Sequence, residues 1–178
     1  MTKNPNSAKK TVLVVDDEDD IRRYLSSALA EAGFDVVTAI DGEDALAKVK
    51  SKKPDLISLD LVMPRKSGVK FHRELIKNKD WARIPVIIVT GHARDDLGRA
   101  DLKELTMSGQ GLYLEKPVKP DNYIAAVKKL LGMEVSETEA GAVEKVKIQN
   151  EINNLLEAAD VSELEKIRKL LKGNKKGN

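Results

Sequence analysis

Residues 56–68 read LISLDLVMPRKSG. Leu56, Ile57 and Leu59 form an apolar run of strand length that ends on a carboxylate, Asp60, and Pro64 follows four positions later. A run apolar on both faces is what a strand inside a covered sheet shows. The same form recurs on either side of it. Short β-branched runs over Val12–Val15, Val36–Ala39, Leu56–Leu59, Val86–Val89 and Leu112–Leu114 alternate with helical spacing over Ile21–Ala32, Glu43–Lys50, Val69–Lys77, Leu97–Thr106 and Asn122–Leu131. Five strands and five helices in strict alternation predict an α/β fold, a doubly wound (βα)5 unit with a five-stranded parallel sheet. Gly33 and Pro54 stand where helices end, and Asp41 and Asp121 where N-caps belong.

Composition bounds the function. The chain has 178 residues, 41 % hydrophobic and 34 % charged, which fits a globular protein with a well-charged surface rather than a disordered or membrane one. Its longest apolar runs, VLVV at Val12 and VIIV at Val86, are far short of the ~20 residues of a spanning helix, so no membrane association and a cytoplasmic location are expected. The absence of cysteine excludes disulfides, thiolate zinc sites and cysteine nucleophiles. A net charge of +2 gives no general case for nucleic acid.

In a sheet of this kind ligands bind beyond the carboxyl ends of the strands, where the strand order reverses. VLVVDDEDD leaves its strand on Asp16 and Asp17, the third strand leaves on Asp60, VIIVTGHA on Thr90, and LYLEKPV on Lys116 and Pro117. Taken singly, each is an ordinary cap, strand end or surface turn. Together they place three carboxylates, a hydroxyl and an ammonium at one rim. Three close carboxylates repel unless a cation lies among them, and hard oxygen ligands with open water positions suit Mg²⁺. A lysine and a hydroxyl beside that metal are donors for a phosphoryl group's oxygens, which leaves Asp60 as a nucleophile forming an acyl phosphate.

These residues resemble the receiver domain of bacterial two-component response regulators, through VLVVDDEDD, DLVMPRKSG, VIIVTG and YLEKP, over about residues 11 to 131. The resemblance implies that Asp60 is the phosphoacceptor, with Asp16, Asp17 and the backbone carbonyl of Val62 around Mg²⁺. It implies Thr90 and Lys116 on the phosphoryl oxygens, a cis Lys116–Pro117 bond, and Tyr113 as the switch aromatic that turns inward as Thr90 is drawn to the phosphoryl group. Val62 and His92 fall where the family tunes phosphoryl lifetime; Val62 cannot orient a water, which points to slow hydrolysis. The implied donor is a histidine kinase or phosphotransfer protein, and the output is a changed contact with a downstream protein or a second copy, through the helix after Thr90, the last strand and the helix after it, or through the C-terminal helices. Two departures stand out: Thr90 and Lys116 are 26 positions apart, with ELTMSGQG reading as an irregular link, and Lys66 occupies a place often apolar in the family.

Haloacid-dehalogenase-type phosphatases share an aspartate nucleophile and Mg²⁺ but carry a second acid two residues later, where this chain has Val62. The site is therefore expected to accept a phosphoryl group and lose it slowly, not to turn over as an enzyme. A receiver-like module acting without phosphorylation is the other reading of the same residues.

The expected organisation is a flexible arm over 1–10, the receiver-like unit over 11–132, a linker over 133–141, a helical extension over 142–172 and a basic disordered tail over 173–178. Val143, Val146, Ile152, Leu155, Leu156 and Ala159, then Leu164, Ile167 and Leu171, keep helical spacing on either side of a capping pair, Asp160 and Glu163, which predicts a helical hairpin. Nine acids and eight bases over 134–178 leave it nearly neutral, so DNA binding through these helices is the lesser reading. His72 and His92, the two histidines, lie on separate elements, and Trp81 is expected to pack between a helix and a strand.

Overall fold

The computed structural model describes residues 9–63, 67–91 and 112–173. Its elements in chain order are β1 (Thr11–Val15), α1 (Asp19–Glu31), β2 (Asp35–Ala39), α2 (Gly42–Ser51), β3 (Leu56–Leu59), α3 (Gly68–Lys77), β4 (Val86–Thr90), β5 (Tyr113–Glu115), α4 (Pro120–Leu130), α5 (Glu137–Ala158) and α6 (Val161–Gly173). The strands form one all-parallel sheet in the order β2-β1-β3-β4-β5. This is the expected doubly wound fold. The helix predicted over Leu97–Thr106, with His92 and the ELTMSGQG link, lies outside the described residues, as do Pro64 to Lys66.

Parallel pairing requires each strand to be followed by a crossover, and the alternation of apolar side chains assigns the two faces. Leu13, Val15, Ile57, Leu59 and Val86 pack with Ala45 and Val49 of α2 and Phe71 and Leu75 of α3, all buried. Trp81 lies partly buried against this cluster, as its position before a strand predicts. On α1 the buried residues are Leu25 and Leu29, and on α4 they are Tyr123, Ala125, Ala126 and Val127. Burying a leucine or isoleucine fully is worth roughly 1.5–3 kcal/mol, so the low aromatic content costs the core little.

Local chemistry sets the boundaries. Gly33 takes φ 92°, the left-handed conformation that lets the chain turn out of α1 while its N–H reaches Ala30 O at 3.0 Å and Phe34 N reaches Leu29 O at 3.0 Å. Asp41 caps α2, accepting from the N–H groups of Glu43 and Asp44 at 2.9 Å each. Asp121 does not cap its helix: the N-cap is Lys119 and Pro120 opens α4, where a missing N–H and a fixed φ are tolerated. At the other rim Asp55 ties the starts of β1 and β3 together, accepting from Thr11 N at 2.8 Å and Lys10 Nζ at 2.9 Å.

The chain divides into two compact units, residues 1–143 and 144–178. Within the segment expected as a linker over 133–141, residues 133–136 form no regular element and a helix occupies the rest. α5 begins at Glu137 with a capping box, Ser136 Oγ accepting from Glu139 N at 3.2 Å and Glu139 Oε2 accepting from Ser136 N at 2.8 Å. Glu139 also meets Lys128 Nζ at 2.5 Å, and Val143 is fully buried. In the second unit the predicted box closes as Asp160 N donates to Glu163 Oε2 at 3.0 Å and Glu163 N to Asp160 Oδ1 at 2.9 Å. Both predicted helices form, α5 running to Ala158 and α6 from Val161. Among the described residues no helix is long and apolar enough to cross a membrane.

The Asp55 contacts predict an acid-dependent stability. Burial works to raise its carboxyl pKa, but the hydrogen bond from Lys10, that from Thr11 N and the Lys10 and Lys52 charges outweigh it and hold the pKa below the ordinary carboxylate range. A lowered folded pKa gives stability that is present above the unfolded value and lost as pH falls through the folded one. Asp55→Ala is therefore expected to cost about 0.5–1.5 kcal/mol at neutral pH in urea denaturation, and the difference from wild type should shrink below about pH 4. A pH-independent difference would contradict the assignment.

Candidate functional site

The sheet order changes direction between β1 and β3, and their carboxyl ends deliver the acids. β1 is followed by Asp16 and Asp17, β3 by Asp60; Asp16 and Asp60 are buried and Asp17 is exposed. Neighbouring strands hold them in place: Asp60 N donates to Val15 O at 2.9 Å and Asp16 N to Ala39 O at 3.2 Å. One carboxylate oxygen from each of Asp16, Asp17 and Asp60 lies within 4.8 Å of the others. Lys116, just past β5, places its Nζ 2.9 Å from Asp16 Oδ2, 2.8 Å from Asp60 Oδ2 and 3.1 Å from Glu18 Oε1. Asp17, Glu18, Asp60 and Lys116, with Val62, Met63 and Gly91, line an open cleft of about 450 Å³, and Asp16 lies buried behind Lys116.

The charges act on one another through a partly dry site. Burial pushes the Asp16 carboxyl above its ordinary range; the hydrogen bond and charge of Lys116 pull it down, and the Asp60 carboxylate adds to the rise. Burial alone would favour loss of the Lys116 proton, but hydrogen bonds and charges from Asp60 and Asp16 outweigh it and hold the ammonium above its ordinary range. The lysine is thus a fixed positive charge at neutral pH. Two further contacts orient the acids: Val62 N donates to Asp60 Oδ1 at 3.3 Å, and Arg22 Nη1 donates to the backbone oxygen of Asp16 at 2.8 Å. A converging set of hard oxygens open to a cleft fits a divalent cation such as Mg²⁺, with Val62 on the wall where its carbonyl is expected to serve.

Thr90 is fully buried at the end of β4, and the N–H of Lys116 donates to its backbone oxygen at 3.0 Å, so one contact carries both residues to the site. Lys116–Pro117 is cis, as the resemblance implies. Tyr113 sits opposite Ile88 in the β4–β5 pairing and is 4 % exposed, packed with Leu61, Val69 and Ile88. The inward turn expected of it therefore has no exposed starting point here: the ring already fills a pocket of three aliphatic side chains.

Some contributors are not evident from residue type alone. Glu18 lies in the acidic run after β1, yet only the fold shows that it reaches Lys116. Gly68 closes the stretch LISLDLVMPRKSG, and a Cβ on it would lie 1.9 Å from the backbone oxygen of Asp60. Only glycine lets α3 start this close to the acceptor. Ser58 and Tyr123, both buried, bring hydroxyls toward the site from β3 and α4. Tyr123 finds no acceptor in hydrogen-bond geometry; burial raises its phenol above the ordinary range, Ser58 opposes this at close range and the Asp16 charge adds to it. His72 is buried on α3.

Residues 12–128 match the family model described as the response regulator receiver domain. The chain is 39 % identical over 125 residues to the probable transcriptional regulator ycf27 of Cyanophora paradoxa, covering 69 % of this chain and 48 % of that one. It is 38 % identical over 122 residues to the alkaline phosphatase synthesis transcriptional regulatory protein PhoP of Bacillus subtilis, covering 68 % and 48 %. To protein PilG of Pseudomonas aeruginosa it is 36 % identical over 117 residues, covering 66 % of this chain and 84 % of that one. Among solved structures, chemotaxis protein CheY4 of Vibrio cholerae superposes with a TM-score of 0.61 at 29 % identity, covering 69 % of this chain and 99 % of that one. The chain spans about half the length of ycf27 and PhoP.

Two substitutions test the geometry. Lys116→Met leaves Asp16 and Asp60 facing each other without a cation and should destabilise the metal-free protein by about 1–3 kcal/mol, less than a sealed buried pair because the cleft is open. Mg²⁺ should then raise the melting temperature of the variant more than that of wild type, and equal increments would contradict the role given to the lysine. Gly68→Ala should cost toward the upper end of about 1–3 kcal/mol, because the atom it meets is backbone and has no rotamer to escape into. Chemical denaturation measures it, and an unchanged midpoint would show that α3 moves freely.

Proposed function

The chain belongs to the response regulator receiver domain family, and from that premise we propose that it is a phosphorylation-dependent switch whose acceptor is Asp60. The observation that carries this reading is Lys116 within hydrogen-bond reach of both Asp60 and Asp16, with Asp60 and the lysine on the wall of one open cleft. In the proposed reaction a carboxylate oxygen of Asp60 attacks the phosphorus of a phosphohistidine. The new O–P bond forms as the P–N bond breaks, and the imidazole leaves with the electron pair. Lys116 then exchanges a carboxylate partner for a phosphoryl oxygen, and the Thr90 hydroxyl supplies a second donor. Bound Mg²⁺ would neutralise phosphoryl charge from Asp16, Asp17, Asp60 and the Val62 carbonyl.

Two residues after Asp60, Val62 offers no acid, base or amide to orient a water, which supports slow loss of the phosphoryl group. The protein is proposed to load and slowly lose one phosphoryl group and not to act as a phosphatase. The donor is a histidine kinase or phosphotransfer protein, and the readout is a changed contact with a downstream protein or a second copy. Movement at Thr90 reaches the β4–β5 edge because Tyr113 and Leu61 pack against the same strand, which gives the site a route to that surface.

Incubation with Mg²⁺ and acetyl phosphate should add one phosphoryl mass to the wild-type protein and none to Asp60→Asn, read by intact mass spectrometry. Absence of the adduct, together with no binding of beryllofluoride, would refute the switch. In the same assay Val62→Asn should shorten the adduct's half-life by roughly tenfold, the low end of what a group positioned for proton transfer supplies.

A further inference from the structure

α5 and α6 leave aliphatic residues exposed. Among the described side chains of α5 in the second unit, the less exposed are those of Val146, Asn150 and Asn153. Ile148, Ile152, Leu155 and Leu156, spaced as one helical stripe, are 48, 44, 62 and 37 % exposed. On α6, Val161, Leu164 and Leu170 are also exposed. A unit of 35 residues has no core of its own to hold two such helices, and a 13-residue helix is marginal alone in water. The pattern calls for an occupant.

The charges of α6 say which. Asp160, Glu163 and Glu165 fill its start and first half, and Lys166, Arg168 and Lys169 its second half. Two copies laid antiparallel would set each acidic half against the other's basic half, while a parallel pair would oppose like charges. The same asymmetry also suits the helix dipole, so a charge exchange must separate the two causes.

We infer that α5 and α6 are the contact surface for the same two helices of a second copy, forming a two-fold dimer through the apolar stripe with α6 antiparallel to its mate. This stands apart from the phosphorylation reading. None of the stripe's residues lines the Asp60 cleft, so the pairing is constitutive and a phosphoryl group on Asp60 acts on a pair already formed. Its strength can be bounded. α5 at 22 residues and α6 at 13 offer a face of about 500 Å², at or below the low end of the ~600–1,000 Å² per partner in standard interfaces, which suits a roughly micromolar dimer.

Sedimentation velocity of the full chain over a micromolar series tests it. Wild type and Asp60→Asn should both reach twice the 19.6 kDa of one chain. Ile152→Asp with Leu155→Asp should remain at the mass of one chain while still binding Mg²⁺. Glu163→Gln with Glu165→Lys removes both acids of α6 while keeping a capping side chain at position 163, and should weaken the dimer by ~10-fold or more. Adding Lys166→Glu, Arg168→Glu and Lys169→Glu to that variant sets acids of one copy against the lysine introduced at position 165 of the other and should restore the dimer, although it opposes the dipole. Wild type at one-chain mass throughout, a dimer surviving the Ile152 and Leu155 changes, or no recovery in the exchanged variant would each overturn the inference. A dimer lost only in Asp60→Asn would overturn its constitutive character and leave the phosphorylation reading standing.

Discussion

The ammonium of Lys116, held 2.8 Å from Asp60 and 2.9 Å from Asp16, is the contact on which the rest of the site depends. Two buried carboxylates at the ends of adjacent strands repel, and a low-dielectric pocket magnifies the cost. One positive charge between them makes the arrangement stable without committing any of the three groups irreversibly. In the proposed reaction a cation and a phosphoryl group would replace those contacts, the acids turning to the metal and the lysine to a phosphoryl oxygen. The β2-β1-β3-β4-β5 order makes this possible by bringing the exits of β1 and β3 side by side, with the chain after β5 reaching across from the edge.

Around that contact the backbone is packed to close tolerance. α3 begins so near Asp60 that Gly68 has no space for a side chain, and Gly68 N donates to Leu61 O at 3.0 Å. Leu61 in turn packs with Val69, Ile88 and Tyr113. In the proposed switch a displacement at Asp60 would reach Tyr113 through Leu61, the next residue in the chain. Close-packed interiors respond to small shifts by repacking, which is the physical basis for converting a local charge change into a changed surface.

The second unit obeys different rules. Its helices are capped and correctly spaced, yet their aliphatic stripe is exposed and their charges are sorted along α6. Capping and spacing are local properties, whereas burial requires a partner surface. A helix pair with good local signals and no core draws its stability from association.

How much was legible in the amino-acid order follows from the same distinction. Strand and helix periods, the capping pair Asp160 and Glu163, and the exits of the strands on Asp16, Asp17, Asp60, Thr90 and Lys116 depend on neighbours a few residues apart, and they were readable. Asp121 lies inside its helix and not at its cap: the helix opens at Pro120, which has no N–H to satisfy, and Lys119 before it makes no side-chain cap bond. The start of α5 within the expected linker depended on Lys128, eleven residues from Glu139. What only the tertiary structure decided are the long-range meetings: Glu18 with Lys116, the approach of Gly68 to the Asp60 carbonyl, Tyr123 beside Ser58, and the burial of Tyr113. Residue type fixed the chemistry each side chain brings. Which groups share a dry cleft, and which aliphatic face is left uncovered, is set by sheet order and packing between segments far apart in the chain.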